Sequence, residues 1–146
     1  VTSSSSEDFK VGDEVVVVGY DLGMNTPGGF GQFIKVPASW VINLPEKMSL
    51  KESMIIGTAG FTAALCIEKL LQNGLKPADG PVLVTGATGG VGIVAVSLLS
   101  KLGFEVTAST SKESAHGLLK ELGATELMDR GELSEETAKP MLREQW

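Results

Sequence analysis

Short apolar runs divided by turns fill the first third of the chain, and helical periodicities fill the rest. Residues 15–18, 30–36 and 40–44 are predicted as short strands because they are apolar and bounded by turn residues. Pro37 and Pro45 close the last two, since proline cannot donate to a central strand pair. Short strands separated by Gly/Pro turns are typical of part of a small β-barrel.

The pattern changes at Ser49, where Ser49-Leu50-Lys51-Glu52 has the spacing of a capping box. A helix is predicted over residues 61–71, ended by Gly74 and Pro77. Cys66 lies within it and is expected to be a buried structural thiol, because no basic neighbour is evident to activate it.

Residues 81–103 carry the strongest signal of the chain. A strand over residues 82–84 leads into a glycine-rich turn, and apolar residues then recur at helical spacing over residues 91–102. The turn reads Ala87-x-Gly89-x-x-Gly92. Small residues let the backbone approach a pyrophosphate, whose charge the N–H groups and dipole of a helix N-terminus can hold. This order predicts the first βα unit of a dinucleotide-binding fold.

This turn has three alternative interpretations. An ordinary strand-to-helix turn stays open as the simplest alternative. A P-loop requires Gly-Lys-Ser/Thr, which Gly92-Ile93 does not supply. The short-chain reductase pattern matches residues 85–92, but no Tyr-x-x-x-Lys follows, because the single tyrosine is Tyr20.

One further βα step and a third strand follow the central unit. A strand over residues 104–109, a helix capped by Thr110-x-x-Glu113 and ended by Gly123, and a strand over residues 125–128 complete a βαβαβ order. That order is typical of the mononucleotide-binding half of a doubly wound sheet. The predicted class is therefore α/β, with a partial barrel in residues 1–48 and half of a nucleotide-binding domain in residues 49–146. The tail from residue 131 is predicted as an irregular helix broken at Pro140.

The end of the second predicted strand indicates the cofactor. An NAD site usually places Asp or Glu about 20 residues past the glycines to hold the ribose hydroxyls, whereas this chain has Ser109-Thr110-Ser111-Lys112. Hydroxyls and one ammonium suit a 2′-phosphate and therefore NADPH. Arg130, after the third strand, is a further candidate. Solvated surface charge is the alternative for Lys112 and Arg130, and His116 is expected to be a surface or packing residue.

Composition narrows the function classes. The 146 residues are 42% hydrophobic with a net charge of −6, which argues against nucleic acid or an anionic membrane as main partner. One cysteine indicates a reducing compartment, so a cytoplasmic location is expected. One histidine and one cysteine cannot build a His/Cys zinc site. Neither a signal peptide nor a segment apolar enough to span a bilayer is expected.

Together these residues resemble the zinc-independent medium-chain dehydrogenase/reductase family, quinone oxidoreductase-like and nearest to its acrylyl-CoA reductase-like branch. Three motifs are close matches: Gly57-Thr58-Ala59-Gly60-Phe61-Thr62-Ala63, Thr85-Gly86-Ala87-Thr88-Gly89-Gly90-Val91-Gly92, and Ser111-Lys112-Glu113-Ser114-Ala115-His116. Two are looser: Val11-Gly12-Asp13-Glu14-Val15, and Gly28-Gly29-Phe30-Gly31-Gln32-Phe33.

The resemblance implies a GroES-like β-barrel followed by a Rossmann domain that binds NADPH and no metal. It implies hydride transfer to the activated C=C bond of an enoyl-CoA such as acryloyl-CoA, of an enone, or of a quinone, in a homodimeric whole protein. The implied cofactor residues are Thr58, Thr88, Gly89, Gly90 and Val91 around the pyrophosphate, and Thr110, Ser111, Lys112 and Arg130 at the 2′-phosphate end.

Members of that family are roughly twice as long as this chain, as are most two-domain reductases. The tyrosine and asparagine that the family places near substrate and nicotinamide have no counterpart here, so no catalytic residue is assigned. A nucleotide-binding piece without turnover is the alternative function. Residues 1–146 alone are expected to be inactive and marginally folded, because the strand over residues 82–84 would be an unpaired edge.

Overall fold

The computed structural model describes residues 1–133, and the predicted tail helix with its break at Pro140 lies outside them. The chain divides into two compact units, Val1–Thr58 and Ala59–Trp146, the second described as far as Leu133. The sequence predicts a domain boundary after residue 48, whereas this division falls inside a helix.

The first unit holds a two-stranded antiparallel sheet. Strand β1 (Val15–Val17) pairs with β2 (Val41–Asn43), with Val16 opposite Ile42. A 3-10 turn, Ala38–Trp40, precedes β2, so the strand begins one residue later than predicted. Two of the three predicted barrel strands are therefore confirmed.

The third predicted barrel strand, residues 30–36, is wrong. These residues form no regular strand, and Phe33 is 74% exposed while Phe30 is fully exposed. A strand persists only when its backbone pairs with a neighbour, and no strand within residues 1–133 pairs with this segment. Apolar residues bounded by turns were present in the sequence, but within residues 1–133 no neighbouring strand pairs with them.

Helix α1 (Leu50–Gln72) begins earlier than predicted. The predicted capping box is confirmed: the Ser49 N–H donates to Glu52 Oε2 at 2.8 Å, and the Glu52 N–H donates to Ser49 Oγ at 3.2 Å. Gly57 has φ 49° and ψ −157°, which kinks the helix without ending it. The predicted helix over residues 61–71 is thus the part of α1 after this kink.

Helix α1 also bears on the expectation that no segment is apolar enough to span a bilayer. Its 23 residues and mean hydropathy of 1.5 are sufficient, by length and composition, to cross a membrane, so the expectation that no segment meets that criterion is wrong. One such helix is weak evidence for a membrane span, because a core helix passes the same test. Ile67 of α1 packs in the core of the second unit, and 17% of the apolar window is buried.

Cys66, expected to be buried, is exposed. Leu65 and Leu70 on the same helix are 53% and 41% exposed. Helical periodicity predicts which residues share a face, but it does not reveal whether another element covers that face. Within residues 1–133 this part of α1 is uncovered, and the thiol is exposed with it.

The second unit contains a three-stranded parallel sheet. Its elements are β3 (Val82–Val84), α2 (Gly90–Lys101), β4 (Val106–Ser109), α3 (His116–Glu121) and β5 (Glu126–Met128). The strand order is β3-β4-β5, with Ala108 between Val84 and Leu127 in the register. The predicted βαβαβ order is confirmed, and β3 lies at an edge of the described sheet.

The core of the second unit surrounds β4. All four of its residues are buried, as expected for a central parallel strand. Val96 of α2, Val106 of β4 and Leu119 of α3 are fully buried side chains. Both helices therefore pack onto this sheet and hold the loops at its carboxyl edge.

The predicted capping box Thr110-x-x-Glu113 is wrong. A 3-10 turn, Glu113–Ala115, comes first, α3 begins at His116, and neither start has a side-chain cap. The Thr110 hydroxyl instead accepts the N–H of Lys112 at 3.1 Å. A Ser or Thr side chain can close such a local turn as readily as it can cap a helix.

The capping box at Ser49 makes the start of α1 sensitive to pH. Hydrogen bonds from the Ser49 hydroxyl and N–H lower the pKa of Glu52 below its ordinary value. Because this folded-state pKa is depressed, the cap is complete above the ordinary pKa of glutamate and is lost as pH falls through the lowered value.

We expect Ser49→Ala to raise the pKa of Glu52, measured by NMR titration of its side-chain carboxyl. An unchanged titration would contradict this account of the cap.

Candidate cofactor-binding site

The turn between β3 and α2 is a tight backbone loop. Gly86 adopts a left-handed φ of 59°, which favours glycine. The Gly89 N–H donates to the Gly86 carbonyl oxygen at 2.9 Å, and the Ala87 N–H donates to the Ser109 carbonyl oxygen at 3.3 Å. The loop is therefore closed upon itself and attached to the end of β4.

Helix α2 packs directly against this loop at Gly92. A Cβ on Gly92 would overlap the Gly86 carbonyl oxygen and lie 2.8 Å from the Ala87 Cα, both backbone atoms. No side chain fits there without moving the loop or the helix. The last glycine of the motif thus sets the distance between helix and strand.

Gly89 has a different role. Its φ is −81°, so it needs no backbone conformation reserved for glycine, and a Cβ there would lie 3.2 Å from the Gly86 oxygen. Gly89 is the N-cap of α2 and provides no side-chain cap. The first N–H groups of a helix have no acceptor within the helix, and Gly89, Gly90 and Val91 are exposed. An anion can therefore approach this N-terminus closely.

The ends of β4 and β5 lie at the same edge of the sheet. Ser109 and Thr110 are 2% and 6% exposed, and the Thr110 N–H donates to the Met128 carbonyl oxygen at 3.0 Å. Ser111 and Lys112 then emerge as exposed residues. The structure therefore brings the end of β4 beside the glycine turn, as the sequence predicts.

Charge at this edge is mixed. Residues 109–112 contain no carboxylate. Two carboxylates lie near Arg130 in sequence: Asp129 directly precedes it, and Glu132 lies in the same 3-10 turn, Arg130–Leu133. Asp129 Oδ1 accepts the Gly131 N–H at 2.6 Å, and the Asp129 N–H donates to Glu132 Oε1 at 3.1 Å. Sequence reasoning named Arg130 and missed these acidic neighbours. Lys112 ends a segment without carboxylates, and Glu113 follows it directly at the start of the next 3-10 turn.

Thr58 and Thr88 are the two remaining residues near the pyrophosphate that the family resemblance implies. Thr58 directly follows the kink of α1, is the last residue of the first unit and is exposed. Thr88, within the glycine turn, is half-buried. His116 is the first residue of α3 and is half-buried, in keeping with its expected packing role.

An open cavity of about 480 Å³ adjoins the glycine turn within the second unit. Its wall is formed by β3, by the N-terminal half of α2, and by Cys66, Ile67 and Leu70 of α1. Gly86, Gly89 and Gly90 line one part of it. Ligand sites usually have this size and join apolar walls to a few polar groups. Within residues 1–133, no cluster of three or more His, Cys, Asp or Glu side chains could hold a metal ion.

No protein-family model matches the chain. Over its whole length it is 49% identical to YhfP of Bacillus subtilis, which carries a quinone oxidoreductase name, and 44% identical to the acrylyl-CoA reductase AcuI of Ruegeria pomeroyi. It covers 44% of each of these relatives, less than half their length. The crystal structure of YhfP with NAD bound matches with a TM-score of 0.94 over 100% of this chain and 44% of that one. The YhdH oxidoreductase of Salmonella enterica in complex with NADP matches with a TM-score of 0.92 at 44% identity, over 99% of this chain and 44% of that one.

The parallel sheet, its open helix N-terminus and these matches define the class: an α/β nucleotide-binding unit of the dehydrogenase and reductase type. The chain belongs to the medium-chain dehydrogenase/reductase family and resembles its quinone oxidoreductase and acrylyl-CoA reductase members. It corresponds to part of such a reductase. The resemblance drawn from the sequence motifs and the predicted fold class are both confirmed.

The close approach at Gly92 predicts a large effect on stability. In the whole protein that carries this chain, we expect Gly92→Ala to lower the free energy of unfolding by about 2–3 kcal/mol, because the new Cβ overlaps backbone atoms. Gly117→Ala in α3 is the matched control: no atom lies within 4 Å of its new Cβ, so the change should be neutral or slightly stabilising. Denaturant unfolding measures both. Equal effects would contradict the packing described here.

Proposed function

We propose that the whole protein is a zinc-independent reductase that transfers hydride from NADPH to an activated C=C bond. The substrate would be an enoyl-CoA such as acryloyl-CoA, an enone or a quinone. One observation carries the proposal: an uncapped helix N-terminus lies beside a strand end that has hydroxyls and Lys112 where an NAD site has a carboxylate. The names of the similar proteins supply the reaction class.

The glycine turn would hold the pyrophosphate. The start of α2 and the residues just before it would face the pyrophosphate: Thr88, Gly89, Gly90 and Val91. The partial positive charge of the first N–H groups of the helix favours an anion there. Thr58, the last residue of the first unit, is a further proposed cofactor residue. When bound, NADPH would supply the hydride, and the cavity that the glycine turn lines would be available to the rest of the cofactor.

The end of β4 would distinguish NADPH from NADH. A 2′-phosphate carries negative charge and strong acceptor oxygens, so an ammonium and exposed donors stabilise it whereas a carboxylate would repel it. Ser111 and Lys112 are exposed at this position, and Arg130 follows the neighbouring strand. Similar proteins have been crystallised with NAD, with NADP and with NADPH, so their bound cofactors do not by themselves distinguish NADPH from NADH. The proposed preference for NADPH therefore rests on these side chains.

The remaining assignments are also proposals. No catalytic role is proposed for any residue within residues 1–133, and the proposed substrate class covers thioesters, enones and quinones. We propose a cytoplasmic homodimer that acts on a small molecule. The net charge of −6 disfavours nucleic acid and anionic membranes as partners.

The preference for NADPH provides the test. In the whole protein we expect NADPH to bind at least about tenfold more tightly than NADH, or 1.4 kcal/mol, the value of one charge-assisted contact. Lys112→Ala should weaken NADPH and leave NADH nearly unchanged. Lys101→Ala, an exposed lysine in the last turn of α2, should change neither.

The measurements are cofactor titrations followed by turnover of acryloyl-CoA, a simple enone and a quinone. If Lys112→Ala weakens both cofactors equally, Lys112 does not contact the 2′-phosphate. If NADPH binds and none of the three substrates is reduced, the proposed reductase activity fails and a binding role alone is supported.

A further inference from the structure

We infer that Thr110 is a positioning residue that sets the specificity for NADPH through the backbone of Lys112, without contacting the phosphate. This inference rests on the proposed function and adds a determinant to it. The family resemblance implies that Thr110 is one of the residues holding the 2′-phosphate end. The structure gives its hydroxyl a different task.

The hydroxyl of Thr110 is used within the chain. The side chain is buried, at 6% exposure, and its Oγ1 accepts the Lys112 N–H at 3.1 Å. The backbone N–H of the same residue donates to the Met128 carbonyl oxygen at 3.0 Å. Thr110 is therefore fixed by its neighbours on β5 and turned away from solvent, whereas Ser111 and Lys112 are exposed.

This hydrogen bond closes a local turn of the kind that Ser and Thr side chains form two residues ahead. The turn redirects the backbone at the point where β4 ends. Ser109, the preceding residue, accepts the Ala87 N–H of the glycine turn at 3.3 Å. The hydrogen bond from the Lys112 N–H to Thr110 thus orders the exposed residues Ser111 and Lys112. The backbone just before them is attached to both the glycine turn and β5.

A loop that is already ordered loses less conformational entropy when it binds a ligand. Without the acceptor, residues 111 and 112 would have to become ordered when the 2′-phosphate arrives. NADH lacks that phosphate and gains nothing from the order. The Thr110 hydroxyl should therefore favour NADPH selectively, although it does not itself contact the phosphate.

Three variants of the whole protein separate these roles. Thr110→Val keeps the shape and removes the acceptor, Thr110→Ala removes it without adding bulk, and Thr110→Ser retains it. We expect Val and Ala to raise the NADPH dissociation constant by about fivefold, the effect of one lost hydrogen bond. The NADH constant should change by less than about twofold, and Ser should restore NADPH binding.

The second readout is hydrogen exchange at the Lys112 amide in the cofactor-free protein. Exchange should become faster in Val and Ala, by about fivefold, and stay near the original rate in Ser. A merely structural role would lower thermal stability and weaken both cofactors equally, which would overturn the inference. Weaker NADPH binding with unchanged exchange would show a direct phosphate contact and would also overturn it.

Lys112→Ala distinguishes this inference from the proposed function. If Lys112→Ala alters cofactor preference and Thr110→Val does not, the positioning role fails while the cofactor site stands. If Lys112→Ala leaves NADPH binding unchanged, the proposed 2′-phosphate site itself fails, and the positioning role fails with it.

Discussion

The contact between α2 and the glycine turn is the constraint on which the site depends. At Gly92 the helix approaches the carbonyl oxygen of Gly86 so closely that no Cβ fits. That approach requires the loop to turn back on itself, which the left-handed φ of Gly86 and the hydrogen bond from the Gly89 N–H achieve. The first N–H groups of α2 have no acceptor within the helix and no side-chain cap, and Gly90 and Val91 are exposed, so they stay open to an anion.

The rest of the site is attached to this contact by backbone hydrogen bonds. The Ala87 N–H joins the loop to Ser109 at the end of β4, and the Thr110 N–H joins β4 to Met128 of β5. Parallel strands end at one edge of their sheet, so the sheet itself brings distant parts of the chain together. A pyrophosphate site and a 2′-phosphate site can therefore be adjacent although Gly89 and Lys112 are far apart in sequence.

Local patterns in the sequence were sufficient for the strand-turn-helix unit, the βαβαβ order and the capping box at Ser49, because each depends on residues a few positions apart. They failed where a distant partner decides the outcome. The segment over residues 30–36 has strand composition and no strand to pair with, and Cys66 lies on a helix face that nothing within residues 1–133 covers.

The site shows the same division between local and distant information. The motif names its glycines, yet it does not show that Gly92 sets the packing distance while Gly89 has an ordinary backbone. Likewise, Thr110 suggests a cap or a phosphate ligand, and only the fold reveals that its hydroxyl accepts the Lys112 N–H. The carboxylates beside Arg130 were visible in the sequence, but their hydrogen bonds to the turn were not.

The central claim is that one cofactor spans the start of α2 and the end of β4. Backbone amide NMR spectra of the whole protein, recorded with increasing NADPH and then with NADH, test it most directly. The account predicts that the amides of Gly89, Gly90 and Val91 shift with both cofactors, and that those of Ser111 and Lys112 shift strongly with NADPH alone. Shifts confined to residues outside these two segments would contradict it.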